Sequence, residues 1–265
     1  MIHFDQVHMK YKKGRSGTEA LRGVTFTIRA GEFVFVIGAS GSGKSTILKL
    51  MTREVVPTSG AAYMDGFCIS SMSRALVPVL RRQIGIVFQD FRLIESKTVF
   101  ENVAFAGEII GMPQKQLLRM VNIVLGVVGI GDKADSFPNE LSGGEQQRVA
   151  IARAMINEPS IIIADEPTGN LDPATSEAIM ALLEEINRNG TTVVVCTHDS
   201  NLVNRMKKRV IEVAEGYVIR DAQHGAYESP TALQEQDSAA EEASEHDIIY
   251  TQQDDDKIAK KDVQI

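Results

Sequence analysis

The chain has 265 residues, 43% of them hydrophobic and 24% charged, the make-up of an ordinary globular protein with length for one large domain or two lobes sharing a core. Its net charge of −7 is unevenly placed: residues 226–265 carry eleven acidic side chains against three lysines, a net of −8, which leaves about +1 for residues 1–225. That balance gives no basic surplus of the kind nucleic acid demands, and no nucleic-acid partner is expected.

No run of 18 apolar residues occurs and the opening MIHFDQVHMKYKK is too polar for a signal peptide, so neither a membrane span nor secretion is expected and the cytoplasm is the expected compartment. Cys68 and Cys196 are isolated, without a second cysteine or histidine at metal spacing, and read as small hydrophobes in a reducing compartment.

In chain order, IHFDQVHM and ALRGVTFTI alternate as half-buried strands do, and Ala30-Gly31 follows as a turn. FVFVIG is a solid apolar run suited to a strand covered on both faces, and IGIVF (84–88), IIIA (161–164) and TVVVC (192–196) repeat the pattern. Helical segments separate these runs, which predicts an α/β fold with a mainly parallel sheet and helices on both faces. From about 91 to 138 the texture changes to helical spacing without a buried strand (TVFENVAFAGEIIGM, QKQLLRMVNIVLGVV), which predicts an inserted helical lobe within a domain spanning 1–225. Residues 226–265, rich in acid and poor in aromatics, are expected to form a solvated, disordered tail whose one apolar cluster is Ile248-Ile249-Tyr250.

Gly38-Ala39-Ser40-Gly41-Ser42-Gly43-Lys44-Ser45 fits G-x-x-x-x-G-K-[ST] between a strand and a helix. Glycines let backbone N–H groups face phosphates, Lys44 supplies a cation and Ser45 a hydroxyl for Mg²⁺. Asp165 and Glu166 end the IIIA strand, expected beside the phosphate loop; Asp165 suits Mg²⁺ and Glu166 suits taking a proton from water. Gln89 and His198 each follow a buried run, where sheet-bound ligands are met, although a polar residue satisfied at a strand end is the plainer reading of either alone. LSGGEQQR (141–148) adds a second glycine-led helix start, also a place for phosphate.

Tyr11, the loop 38–45, Gln89, Leu141–Glu145, Asp165-Glu166, Gly169-Asn170-Leu171-Asp172 and His198 stand in the order and spacing of an ATP-binding cassette (ABC) ATPase, a resemblance covering residues 1 to about 222. It implies a P-loop NTPase fold of the ABC type: a mainly parallel core sheet, an N-terminal antiparallel β subdomain and an inserted α-helical subdomain. It implies that Tyr11 stacks on adenine and that Gly38, Ser40, Gly41, Ser42, Gly43, Lys44, Ser45 and Thr46 bind ATP and Mg²⁺. By the same resemblance Gln89 senses metal and water, Asp165 anchors Mg²⁺, Glu166 is the general base and His198 contacts the γ-phosphate. Ser142, Gly143 and Gly144 then meet the γ-phosphate of a second copy, with Asp172 at the seam. Glu145 stands where Gln is commonest in the family, and is expected to lie within the helix, away from its phosphate-facing tip.

VFQDFRLIESKTVFENVAF (87–105) and ADEPTGNLDP (164–173) resemble the cell-division branch of the family. That branch implies a membrane partner of FtsX type, docking beside the segment after Gln89, ATP-driven homodimer closure on the cytoplasmic face of the membrane, and control of peptidoglycan hydrolases beyond it. ATPases of lipoprotein-release or macrolide exporters share every catalytic residue and form the alternative. A GTPase would need Asn/Thr-Lys-x-Asp, and the nearest string, Asp132-Lys133-Ala134-Asp135, lacks the amide or hydroxyl residue. Cassettes acting on DNA or ribosomes carry coiled-coil or zinc insertions or a second cassette, none of which is legible here.

Overall fold

In the computed structural model, residues 1–11 and 17–225 are described, and 1–225 cluster into one unit. The expectations for the acidic tail and its Ile248-Ile249-Tyr250 cluster lie outside the described residues.

The chain begins with two long strands, β1 (Ile2–Tyr11) and β2 (Thr18–Ile28), paired antiparallel, with Ile2, Phe4, Val7 and Met9 of β1 buried. Alternating burial is what a sheet covered on one face produces. Phe4 and Phe26 stack inside it with ring centroids 4.7 Å apart. Next come β3 (Phe33–Ile37), buried along its whole length, and α1 (Lys44–Met51), which carries Ile47, Leu48, Leu50 and Met51 into the core.

The strands β4 (Ser59–Met64) and β5 (Phe67–Cys68) then return to the first pair, giving an antiparallel sheet of order β2-β1-β4-β5. They are joined by Asp65-Gly66, both at positive φ, the backbone that a two-residue hairpin turn needs. A short α2 (Val77–Arg82) leads into β6 (Ile84–Phe88).

The helical stretch comprises α3 (Val99–Ile109), α4 (Gln114–Val127) and α5 (Gly143–Met155). Thr98 and Glu101 close a capping box at the start of α3, and the fully buried Asn102 accepts from Ile94 N–H and donates to the carbonyls of Ile94, Lys97 and Thr98. That side chain does for the loop before α3 what a sheet ladder does for a strand: it satisfies backbone groups that would otherwise be buried unpaired.

The rest alternates as β7 (Ile161–Asp165), α6 (Pro173–Arg188), β8 (Thr192–Cys196) and α7 (Ser200–Met206), followed by a hairpin of β9 (Arg209–Ala214) and β10 (Tyr217–Ala222). The second sheet has order β10-β9-β3-β8-β7-β6, parallel except for the β9–β10 pair. The four buried apolar runs therefore occupy its interior and far edge. β7 is parallel to β3, as expected, with β8 running between them. The acidic pair reaches the phosphate loop across an intervening strand.

Candidate active site

The parallel strands end on one side of the sheet, where open α/β sheets meet ligands. From β3 the chain enters Gly38–Gly43 and turns into α1 at Lys44. Gly38 has φ +146°, and a Cβ there would lie 2.1 Å from Val213 O of β9; Gly43, at φ +121°, would set one 2.8 Å from Leu21 of β2. The loop is wedged between two strands, and only glycine fits at both points. A Cβ at Gly41 would meet nothing within 4 Å, so the loop's middle faces open space.

Lys44 folds back over the loop and donates from Nζ to the carbonyls of Gly38 (2.6 Å) and Ala39 (3.0 Å). Ser42 Oγ is buried without a partner among the described residues. A cation held over the cradle and an unpaired hydroxyl in it suit an anion, since both are donors. Thr46 is buried in the same first turn of α1.

Asp165 at the end of β7 is half-buried; burial first, and the neighbouring Glu166 carboxylate second, push its carboxyl above the ordinary value, with Lys44 and Arg92 pulling the other way. Asp165 and Ser45 line one cavity of about 100 Å³. A carboxylate disfavoured by a like charge, beside a hydroxyl and open to a cavity, fits a hard divalent cation. Among the described residues there is no cluster of three or more His, Cys, Asp or Glu that would hold a metal alone. The fit is to Mg²⁺, which takes one or two protein ligands together with nucleotide phosphates.

Glu166 adopts φ +49°, an uncommon backbone for a non-glycine residue. Its N–H donates to Cys196 O (2.9 Å), extending the β7–β8 ladder one residue, and its Oε1 lies 2.7 Å from Nδ1 of His198. Both line a cavity of about 470 Å³ with Thr168, Gly169 and Leu171. A carboxylate oriented by an imidazole at the rim of a cavity is placed to receive a proton.

Gln89 follows β6 and lies over the turn 169–170: its backbone O accepts from Asn170 Nδ2 (3.1 Å), and its Nε2 lies 3.4 Å from Asn170 Oδ1. The turn comes so close that a Cβ on Gly169 would sit 2.8 Å from Gln89 Nε2. Asp172 caps α6 by accepting from the N–H groups of Ala174 and Thr175. Tyr11 ends β1 opposite Thr18, half-buried against the core, a short way along β2 from the contact of Gly43 with Ala20 and Leu21.

Ser142 is the N-cap of α5. Glu145 lies within α5, as expected, but its side chain folds back to the tip: one of its carboxylate oxygens, Oε2, takes hydrogen bonds from both Ser142 N–H and Ser142 Oγ, each at 2.8 Å. The pattern is a capping box, and Ser-x-x-Glu in the sequence carries its signature. Those bonds, the backbone one first, hold the Glu145 carboxyl below its ordinary value. Cβ atoms added at Gly143 and Gly144 would meet Leu171 and Thr175, at 3.2 and 2.4 Å. This helix start therefore packs on the turn before α6 and not on the phosphate loop.

The sequence reading gave no role to three residues that hold the site together. Asn170 clasps Gln89. Gln147, fully buried in α5, donates to Pro167 O at 2.8 Å, and so joins that helix to the turn after Glu166. Arg153 of α5 donates to the carbonyls of Phe91 and Arg92, two successive positive-φ residues just after Gln89. A buried amide and an arginine on a helix carry no sequence signal of their own until the turns they bind are placed.

The ABC transporter family model matches residues 21–169. The chain is 52% identical over 227 residues to the cell division ATP-binding protein FtsE of Mycobacterium tuberculosis, covering 86% of this chain and 98% of that one. It is 50% identical over 216 residues to FtsE of Streptococcus pneumoniae (82% and 94%) and 47% over 218 residues to FtsE of Escherichia coli (82% and 97%). Among solved structures it resembles the dimeric post-hydrolysis state of the ATP-binding cassette MJ0796 bound to ADP and Pi, with TM-score 0.76 and 39% identity, covering 86% of this chain and all of that one. CbiO1 of Clostridium perfringens, part of the ABC transporter complex cbiONQ, superposes with TM-score 0.77 at 33% identity (84% and 88%). With its phosphate loop, paired carboxylates and glycine-led second helix, the chain belongs to the ABC transporter family of ATP-binding proteins and is an ABC-type ATPase.

Proposed function

We propose that two copies of this chain close head to tail around ATP, hydrolyse it, and thereby drive a membrane partner of FtsX type that regulates peptidoglycan hydrolases in cell division, with the ATPase on the cytoplasmic face of the membrane. The observation that carries the dimer is the separation of two phosphate-type helix starts. Lys44 begins one, over the loop 38–43, while Ser142–Gly144 packs on Leu171 and Thr175. A free helix N-terminus draws anions, and a second copy related by two-fold symmetry brings such an end to the triphosphate. The MJ0796 cassette is dimeric.

In this reading Tyr11 stacks on the adenine, backbone N–H groups of 38–46 surround the phosphates, and Lys44 leaves the carbonyls of Gly38 and Ala39 for the β- and γ-phosphates. Ser45 and Asp165 hold Mg²⁺, which when bound neutralises phosphate charge. Glu166 takes the proton of an in-line water, held in orientation by His198; Gln89 reaches water and metal from the Asn170 turn, and Asp172 flanks the seam. Ser142, Gly143 and Gly144 receive the opposite γ-phosphate.

The partner reading draws on the FtsE relatives and on the surface beyond Gln89. Arg92 lies over the Phe88 ring at 3.7 Å and Arg153 of α5 donates to the carbonyls of Phe91 and Arg92, so a partner helix docked beside this segment would press on the chain that leads from Gln89 to α5. None of the described helices is long and apolar enough to cross a membrane, so membrane attachment in this reading goes through the partner. The deciding experiment is ATP-dependent dimerisation of the Glu166→Gln chain, together with co-purification of the wild type with an FtsX-like protein from membranes. A Glu166→Gln chain that turns ATP over at the wild-type rate defeats the base assignment, and recovery only with ribosomes or DNA defeats the partner.

A further inference from the structure

We propose that Glu145 acts as an internal competitor for the phosphate that Ser142 receives, setting how much ATP-driven closure the pair of copies can sustain. The inference rests on the head-to-tail reading above and concerns the strength of closure.

Glu145 Oε2 already holds the two Ser142 donors that an incoming phosphate oxygen would use, the N–H and the hydroxyl, each at 2.8 Å. Ser142 Oγ is itself 3.4 Å from Glu145 N–H, so the box is closed from both sides. α5 runs for 13 residues, and its N-terminus presents one region of positive potential. In the open chain a carboxylate from the same helix fills it. In the closed pair a phosphate bearing more charge must enter beside that carboxylate or dislodge it. Either event costs the closed state, and neither costs ATP binding to the open chain, because the phosphate loop lies elsewhere. A glutamine at 145 would keep the reach and an acceptor oxygen for the cap while removing the charge, so charge is the property at issue.

The test uses the full-length chain in a Glu166→Gln background, where blocked hydrolysis lets dimerisation reach equilibrium, read by sedimentation velocity at saturating MgATP. Adding Glu145→Gln is expected to lower the protein concentration for half-dimerisation on the order of ten-fold, about three-fold from each of the two symmetric sites, and the gain should shrink as salt is raised. A purely structural cap would show no such salt dependence. Glu145→Ala, which removes charge and cap together, should also dimerise more readily than its parent at low salt. If the Glu166→Gln chain dimerises with ATP and Glu145→Gln leaves that unchanged or weakens it, the inference fails while the dimer reading stands. If neither chain dimerises with ATP, both fail.

Discussion

His198 Nδ1 and Glu166 Oε1 are 2.7 Å apart although the histidine side chain is 70% exposed and the glutamate 17%. The contact therefore survives at the solvent edge of the cavity and orients a carboxylate whose backbone is already held at φ +49°. If Glu166 is the base and His198 its orienter, as proposed, replacing the one and replacing the other should be distinguishable. Glu166→Gln is expected to lower kcat by about 100-fold or more with ATP affinity retained, because proton acceptance is lost while the phosphate cradle is intact. His198→Ala should also lower kcat, and adding it to Glu166→Gln should produce little further loss, since residues acting as a unit are non-additive. Steady-state rates and fluorescent-nucleotide binding of the four chains check this; fully additive losses would show that the two act separately.

Gly38 and Gly41 both have positive φ but differ in their surroundings. Gly38→Ala would drive a methyl into Val213 O and is expected to destabilise the nucleotide-free protein by about 2–4 kcal/mol, a steric conflict on top of backbone strain. Gly41→Ala has strain alone and should cost about 1 kcal/mol. Urea unfolding without nucleotide measures both, and equal costs would contradict the close approach of the loop to β9.

Asp165 and Glu166 give a pH prediction whose sign follows from burial. The Asp165 carboxyl is raised above 3.8 by desolvation and by Glu166, so its favourable contribution is present below the ordinary carboxylate range and is lost as pH rises through the folded-state value. At pH 7 the ionised group weakens the nucleotide-free fold. Asp165→Asn should raise the melting temperature of that form at pH 7, with the advantage shrinking as pH falls toward 4, while Mg²⁺-dependent ATP hydrolysis is lost. Thermal scans of both chains from pH 4 to 8 test this, and an advantage that grows toward acid pH would refute it.

Much of the scaffold was legible because burial on two faces leaves an unbroken apolar run: IGIVF and TVVVC coincide with β6 and β8, and IIIA falls within β7. The β4–β5 and β9–β10 hairpins went unread, although Asp65-Gly66 and Glu215-Gly216 both carry the positive φ values of tight turns and Asp-Gly is a hairpin signal. β10 alternates only weakly between half-buried and exposed positions, and β5 is two residues long, too short for a period to register. The insertion of β8 between β3 and β7 could not be read at all, since strand order comes from packing between distant segments. Ser-x-x-Glu was readable as a cap, but the strong family association of LSGGE with phosphate drew the reading away from it. There the cap occupies both donors of Ser142, the N–H and the hydroxyl, which the proposed closure would turn to a phosphate.

Arg209 offers a prediction about stability that leaves the chemistry alone. At the start of β9 its guanidinium donates from Nε and Nη2 to the two carboxylate oxygens of Asp221 (2.8 and 2.7 Å) and from Nη1 to Glu32 Oε2 (2.6 Å), with its side chain only 9% exposed. Asp221 first, and Glu32 after it, hold the guanidinium above its ordinary value. The triad joins the turn before β3 to both strands of the last hairpin, at the end of the sheet opposite the phosphate loop. Arg209→Met would leave two carboxylates facing each other without a cation and is expected to cost about 3 kcal/mol, since removing one partner of a buried pair strands the other's charge. For a fold of this size that corresponds to a fall of roughly 6–12 °C in melting temperature. Arg209→Lys should recover only part of it, because an ammonium cannot grip a carboxylate through two parallel bonds. At 20 °C, where both variants remain folded, kcat and KM for ATP should match the wild type. A melting temperature within 2 °C of wild type for Arg209→Met, or a loss of kcat in the folded protein, would show that the triad does not hold the hairpin or that it reaches the active site.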